Sequence, residues 1–299
     1  MRRGVWALLL LSGVAGAGQP PILYRNPVRT DAGEFILETS LPDPESRQKI
    51  AHARRTGRAH PSVEEILESS HPDPALLSEL QLALASAGKS LATWGALKVP
   101  VHVVVVPTHA DLEAAVHHPG FGWLRAWARY DDVTVQSPQT WSALEPEQHA
   151  INEVITHELT HCLLFQRIGG PEDWFQRRIP LWFREGMASY TAKQEYRWWP
   201  LERLAQFYAA HPGTDPVTDG ESLYRDQSDA VYSAAHHAFA FLVRRYGEEA
   251  VKEILNELGA ANVGFPEAFQ AAVGLPLTAF VDDFERYVRL RGFRAAERH

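Results

Sequence analysis

A single cysteine, Cys162, occurs among 299 residues. It cannot form an intramolecular disulfide, so a disulfide scaffold and a multi-cysteine zinc finger are both excluded, and a bound metal must be held by His, Asp and Glu. Long apolar runs are also missing. No window after the N-terminus approaches the ~18 uninterrupted apolar residues of a membrane-spanning helix, and the best, Val101 to Val106, carries His102. Positive charge is in deficit: 29 Lys and Arg minus 37 Asp and Glu gives −8. A non-specific nucleic-acid partner is therefore not expected. With 45% apolar and 22% charged residues the chain can bury a sizeable core, which excludes disordered, collagen-like and low-complexity classes.

The first residues have the three parts of an export signal: Arg2 and Arg3, an apolar run from Val5 to Leu11, and small residues ending in Ala15-Gly16-Ala17. Cleavage after Ala17 is expected, giving a secreted or periplasmic protein with no stable membrane span. Residues 18–74, rich in Pro, Arg, Asp and Glu, read as an N-terminal extension of uncertain structure with a short strand at Phe35–Leu37. Leucines at helical spacing predict a helix over 75–94. The β-branched run 99–106 predicts a strand, 110–116 a helix, and the alternation over 130–136 a second strand, short enough for a sheet edge. Helical spacing recurs over 146–168, 180–196, 228–246, 248–258 and 277–290. The expected fold is α+β: a small mixed-sheet lobe over 75–145, with an edge strand beside the helix expected over 146–168, and a mainly helical lobe over 146–299. The two lobes make one continuous domain.

Residues 157–161 read His-Glu-Leu-Thr-His inside the helix expected from Pro146. At 3.6 residues per turn His157 and His161 stack on one face, close enough to hold one ion, and Glu158 beside them can act as a base without being a ligand. With 14 His and 24 Glu, this pattern is expected by chance only ~0.05 times, so it is read as a metal site. Catalytic zinc takes three protein ligands and leaves a position for water. Glu185 is the best third candidate, because Gly186 and Ala188 after it suit close packing against another helix. Glu172, Asp173 and Glu195 are weaker ones. His117 and His118 read as a loop pair, and Cys162 as a buried small apolar residue.

Three segments, HELTH at 157–161, LWFREGMASY at 181–190 and YSAAHHAFAFLVRRYG at 232–247, together resemble the gluzincin zinc metallopeptidases, specifically the peptidase MA-like group. The resemblance covers roughly residues 99–290 and is strong at the three motifs. It implies a thermolysin-like fold and one zinc ion held by His157, His161 and Glu185. It also implies Glu158 as general base and Tyr232 as a hydroxyl that donates to the developing oxyanion, with His236, one turn on, as the competitor. His237 beside it reads as an ordinary surface or capped histidine. One departure is Ser189, which stands where thermolysin-type relatives place an Asp four residues after the third ligand.

The expected activity is peptide-bond hydrolysis of a peptide or protein substrate through a metal-activated water, with the segment Val133–Gln136 as the edge on which an extended substrate adds a strand. Two alternatives stay open: a non-catalytic protein that binds a peptide or wall component in the same cleft, and a metal-dependent hydrolase of a non-peptide bond.

Overall fold

The computed structural model describes residues 22–57, 61–117, 119–141, 146–171, 179–260 and 263–296. The expected signal at 1–17 and the candidates Glu172, Asp173 and His118 lie outside the described residues. The fold is α+β. A hairpin of β1 (Tyr24–Thr30) and β2 (Gly33–Thr39) leads into two short helices, α1 (Pro44–Thr56) and α2 (Val63–Ser69), and then α3 (Pro74–Leu91). β3 (Val101–Val106), α4 (His109–Val116), β4 (Ala126–Ala128) and β5 (Asp132–Gln136) complete the sheet before α5 (Gln148–Ile168). The rest is helical: α6 (Leu181–Thr191), α7 (Leu201–Ala210), the single turn α8 (Gly220–Leu223), α9 (Ser228–Ala260), α10 (Phe265–Val273) and α11 (Leu277–Ala296).

The five strands lie in the order β1-β2-β3-β5-β4, parallel at β2/β3 and β3/β5 and antiparallel at the two outer pairs. The first two strands thus come from the stretch read as an N-terminal extension. Period-two alternation in β3 turns Val101, Val103 and Val105 into the core and leaves His102, Val104 and Val106 half-buried. With Phe35, Leu37, Val133 and Val135 they form the covered face, against which α3 and α5 pack. Full burial contributes on the order of 1.5–3 kcal/mol per such side chain. On the other face α4 covers one end through Leu112 and Val116.

One expectation is corrected. The strand at 130–136 is not the edge: β5 lies between β3 and β4, and the edge on this side is β4. The reason is that Trp127 and its alanine neighbours, a segment without β-branched residues, fold back on β5 and pair in the register Ala126↔Val135 and Ala128↔Val133.

The second half clusters around aromatic rings. Trp182 stacks on Phe280 at 5.4 Å and meets Phe183 and Phe265 edge-on. The segments expected at 228–246 and 248–258 are the two parts of α9, broken at Gly247, whose φ of 83° is open to glycine. Among the described residues no helix is long and apolar enough to cross a membrane.

α5 is tied to the sheet by a fully buried side chain. The Gln166 amide oxygen accepts from the Lys98 and Val99 N–H groups at 2.8 and 3.1 Å, and its nitrogen donates to the Tyr130 carbonyl at 3.0 Å. Gln166→Leu removes the acceptor of two backbone N–H groups and the donor to one carbonyl. It should lower the unfolding free energy by about 3 kcal/mol or more, read by urea denaturation, whereas a loss under 1 kcal/mol would mean that this clamp carries no weight.

Candidate metal centre

α5 divides its faces as the sequence predicts. Ile155, Leu159, Cys162 and Leu163 are fully buried, while His157, Glu158 and His161 are half-buried on the side that meets α6. Cys162 donates its thiol to the Arg129 carbonyl at 3.0 Å, and burial pushes its pKa well up, so it is a packing residue.

α6 brings Glu185 to the two histidines. Pro180 precedes its first turn, Trp182 and Phe183 anchor it in the aromatic core, and Gly186 sets its distance from α9. A Cβ on Gly186 would lie 2.3 Å from the Ala235 carbonyl oxygen and 2.7 Å from the Phe239 Cβ, so only glycine permits this approach.

The result is a triangle of donor atoms. His157 Nε2 and His161 Nε2 lie 3.3 Å apart, and the Glu185 Oε2 lies 3.5 and 3.7 Å from them. A tetrahedral zinc ion with ligand bonds of about 2.0–2.2 Å separates its ligand atoms by roughly 3.3–3.6 Å. Among the described residues this is the one group of three such side chains with ligand atoms within 4.8 Å of one another. Two imidazoles and one carboxylate are also a donor set that suits zinc.

A second layer orients the donors. The Gln194 side-chain oxygen accepts the Nδ1–H of His157 at 3.1 Å, which fixes the tautomer and turns the Nε2 lone pair into the cluster. Gln194 is buried there because Lys193, at φ 57°, reverses the chain just past α6, and because the Gln194 N–H bonds to the Ser189 carbonyl. The following residues clamp this segment to α5: Arg197 and Tyr196 both donate to the buried Glu153, at 2.6 and 2.7 Å. Arg184 lies 3.8 Å from Glu185 Oε1, the oxygen that does not face the histidines. Ser189 does not reach the cluster; its hydroxyl pairs with His236 Nδ1 at 2.9 Å.

Electrostatics around the cluster are strong because it is largely withdrawn from solvent. Burial raises the Glu158 pKa to about 7, against the lowering pull of His157 and a hydrogen bond from the Ala128 amide. Burial would raise Glu185 as well, but the two imidazoles and Arg184 outweigh it and hold the carboxyl down to about 2. His161 is lowered to about 4 by burial, while in His157 the same penalty is overcome by Glu185 and Glu158 and the pKa rises.

Of the remaining candidates, Tyr232 is half-buried and stacked on Trp198, with ring centroids 5.7 Å apart and 15° between planes. Burial and then the Glu185 charge raise its pKa, with a further contribution from Glu158, so its hydroxyl lies within the field of the cluster. His236 is 4% exposed, and burial and neighbouring His237 lower its pKa to about 4. Its bond to Ser189 faces the α6–α9 interface. His237 donates to the Trp199 carbonyl at 2.7 Å. Glu195 is exposed on the turn after Gln194 and is not in the cluster. His117 ends α4 in the left-handed region. Gln194 was missed because no local sequence signal marks a lysine at positive φ.

No protein-family model matches the chain, and no curated protein matches it. Among solved structures it is similar to Legionella pneumophila aminopeptidase A in complex with aspartic acid, with a TM-score of 0.47 and 16% identity. The alignment covers 87% of this chain and 27% of that one, so the chain spans about a quarter of that protein's length.

The Glu158 carboxyl carries a stability prediction for metal-free protein. Its folded pKa, about 7, lies above the ordinary 4.5, so its neutral form is the one the fold favours. This contribution is complete below pH 4.5 and is lost as pH rises through 7, at a cost on the order of 2–3 kcal/mol. In chelator, Glu158→Gln should gain stability relative to wild type by that amount between pH 5 and pH 8. Parallel urea-unfolding profiles across that range would contradict the environment described for Glu158.

Proposed function

We propose that the protein is a zinc-dependent peptidase that hydrolyses peptide bonds with water. The single observation that supports this best is the triangle of His157, His161 and Glu185 with a second carboxyl group, Glu158, next to it on the helix that carries the histidines. These three residues would hold the ion, which when bound would act as a Lewis acid towards a water and the scissile carbonyl.

The chain's own groups supply the rest. Glu158, with a pKa near neutrality in the metal-free site, takes a proton from the attacking water and hands it to the leaving amine. Tyr232 donates its hydroxyl to the oxyanion; its raised pKa keeps it protonated for that role. His236, committed to Ser189, is the weaker candidate. β4 replaces the segment Val133–Gln136 as the strand on which an extended substrate would pair. Arg125 and Arg129 bond to β5, so by the alternation of an antiparallel ladder Ala126 and Ala128 turn their N–H and C=O groups to the open side. Reading residues 1–17 as an export signal puts the reaction outside the cytoplasm; an exported chain that still carries Met1 contradicts that part.

The test combines metal content with turnover. Purified wild type should hold about one zinc per chain and cleave members of a peptide library, and chelator should abolish cleavage. Glu185→Ala should lose most of the zinc. Glu158→Gln should keep zinc and the far-ultraviolet circular dichroism of wild type while losing roughly 10²- to 10⁴-fold in rate. Wild-type turnover in Glu158→Gln removes it as the base, and peptide binding without cleavage by any form assigns the cleft to a binding protein instead.

A further inference from the structure

Past α6 the chain runs for one turn along the ridge of α5 that carries the histidines. Glu153, His157 and His161 follow one another at four-residue intervals, so they stand in a row on one face of that helix. Gln194 meets the middle of the row, its side-chain oxygen on His157 Nδ1 at 3.1 Å. Arg197, three residues on, meets the row one turn away, its guanidinium on the Glu153 carboxylate at 2.6 Å. Between the two contacts the backbone is a tight 3₁₀ turn over Glu195–Arg197, closed from the Arg197 N–H to the Gln194 carbonyl at 3.0 Å and from the Trp198 N–H to the Glu195 carbonyl at 3.3 Å. A shift at one contact is therefore passed to the other. Beyond the turn the chain leaves for α9, where the Trp199 N–H donates to the Ser233 hydroxyl at 2.9 Å.

Residues 195–197 are all exposed, so apolar burial does not fasten this turn. Its fastening to α5 is polar. Glu153 is only 7% exposed, and the Arg197 guanidinium and the Tyr196 hydroxyl, at 2.6 and 2.7 Å, offset the cost of withdrawing its charge from water. Arg197 Nε also donates to the Tyr196 hydroxyl at 3.1 Å, which joins the two donors to each other. From this geometry we infer that Glu153 and Arg197 are positioning residues of the metal centre, acting through Gln194. Their ion pair holds the turn at the place from which Gln194 keeps the Nδ1–H of His157 bonded and its Nε2 aimed into the cluster. This rests on reading His157, His161 and Glu185 as zinc ligands, and adds to it a control of metal affinity by a partly exposed arginine that touches none of the three.

The test measures the zinc dissociation constant of the full-length protein by competition with a chromophoric chelator, and the melting temperature in excess chelator as a separate reading of folding. Gln194→Ala should weaken zinc binding about 10- to 100-fold, the usual effect of losing a partner behind a ligating histidine. Glu153→Leu combined with Arg197→Met removes the ion pair without leaving a buried charge. This double variant should weaken zinc binding about five- to tenfold, less than Gln194→Ala because the amide is still present, at a melting temperature close to that of wild type. The same two changes made in Gln194→Ala should add no further loss, since the pair acts through that side chain. Arg197→Lys, which keeps a cation for Glu153, should bind zinc more tightly than Arg197→Met, a comparison that leaves the buried Glu153 in place. Wild-type zinc affinity in the double variant, an equal loss with and without Gln194, or equal affinities of Arg197→Lys and Arg197→Met overturns the inference. Wild-type protein that takes up no zinc overturns the metal-site reading itself, and this inference falls with it.

Discussion

Glu185 reaches the two imidazoles because α6 lies against α9 with no side chain between them at Gly186. A methyl group there would sit 2.3 Å from a backbone carbonyl, so the helices would have to part, and the carboxylate would move with α6. The aromatic packing of Trp182 and Phe183 holds the same helix from its other end, and Gln166 fixes α5, the partner that carries the histidines, to the sheet. The triangle of donor atoms is therefore a product of backbone approach and core packing. Its second layer follows from the same helix: the reversal at Lys193 just past α6 delivers Gln194 to the back of His157.

That geometry concentrates ionisable groups where water is scarce, and the charges sort themselves accordingly. Glu185, flanked by the imidazoles and Arg184, stays ionised, whereas Glu158 has one imidazole neighbour and a backbone amide and hovers near neutrality. Two carboxylates a few residues from one another in space thus differ in role through environment alone. β4 packs against α5, and the Ala128 amide at its end lowers the pKa of the Glu158 carboxyl against the effect of burial.

Much of this was legible in the residues. The β-branched run 99–106 and the leucines of α3 place strand and helix to within a few residues of the observed bounds, because β-branched side chains favour extended backbone and the leucines bury one helix face. The helical spacing of His157 and His161 and the small residues after Glu185 likewise pointed to the cluster. What escaped depends on long-range pairing or on special backbone. β4 is three residues, Ala126-Trp127-Ala128, and only its pairing with β5 makes it a strand. The extent of the first hairpin was missed because Arg25, Pro27 and Arg29 alternate outward and mask the pattern. α2 did carry a usable signal, the capping box of Ser62 and Glu65, and both α1 and α3 open on Asp-Pro, with Asp43 and Asp73 as caps.

X-ray absorption of the zinc-loaded protein reads whether two imidazoles and one carboxylate converge on a single ion, as proposed for His157, His161 and Glu185. The predicted spectrum has two imidazole nitrogens and one or two further oxygen ligands at about 2.0–2.2 Å, with no sulfur shell near 2.3 Å. One imidazole should vanish in His161→Ala, with the second retained. A sulfur scatterer, which would implicate Cys162, or a spectrum unchanged by loss of His161, would contradict the account.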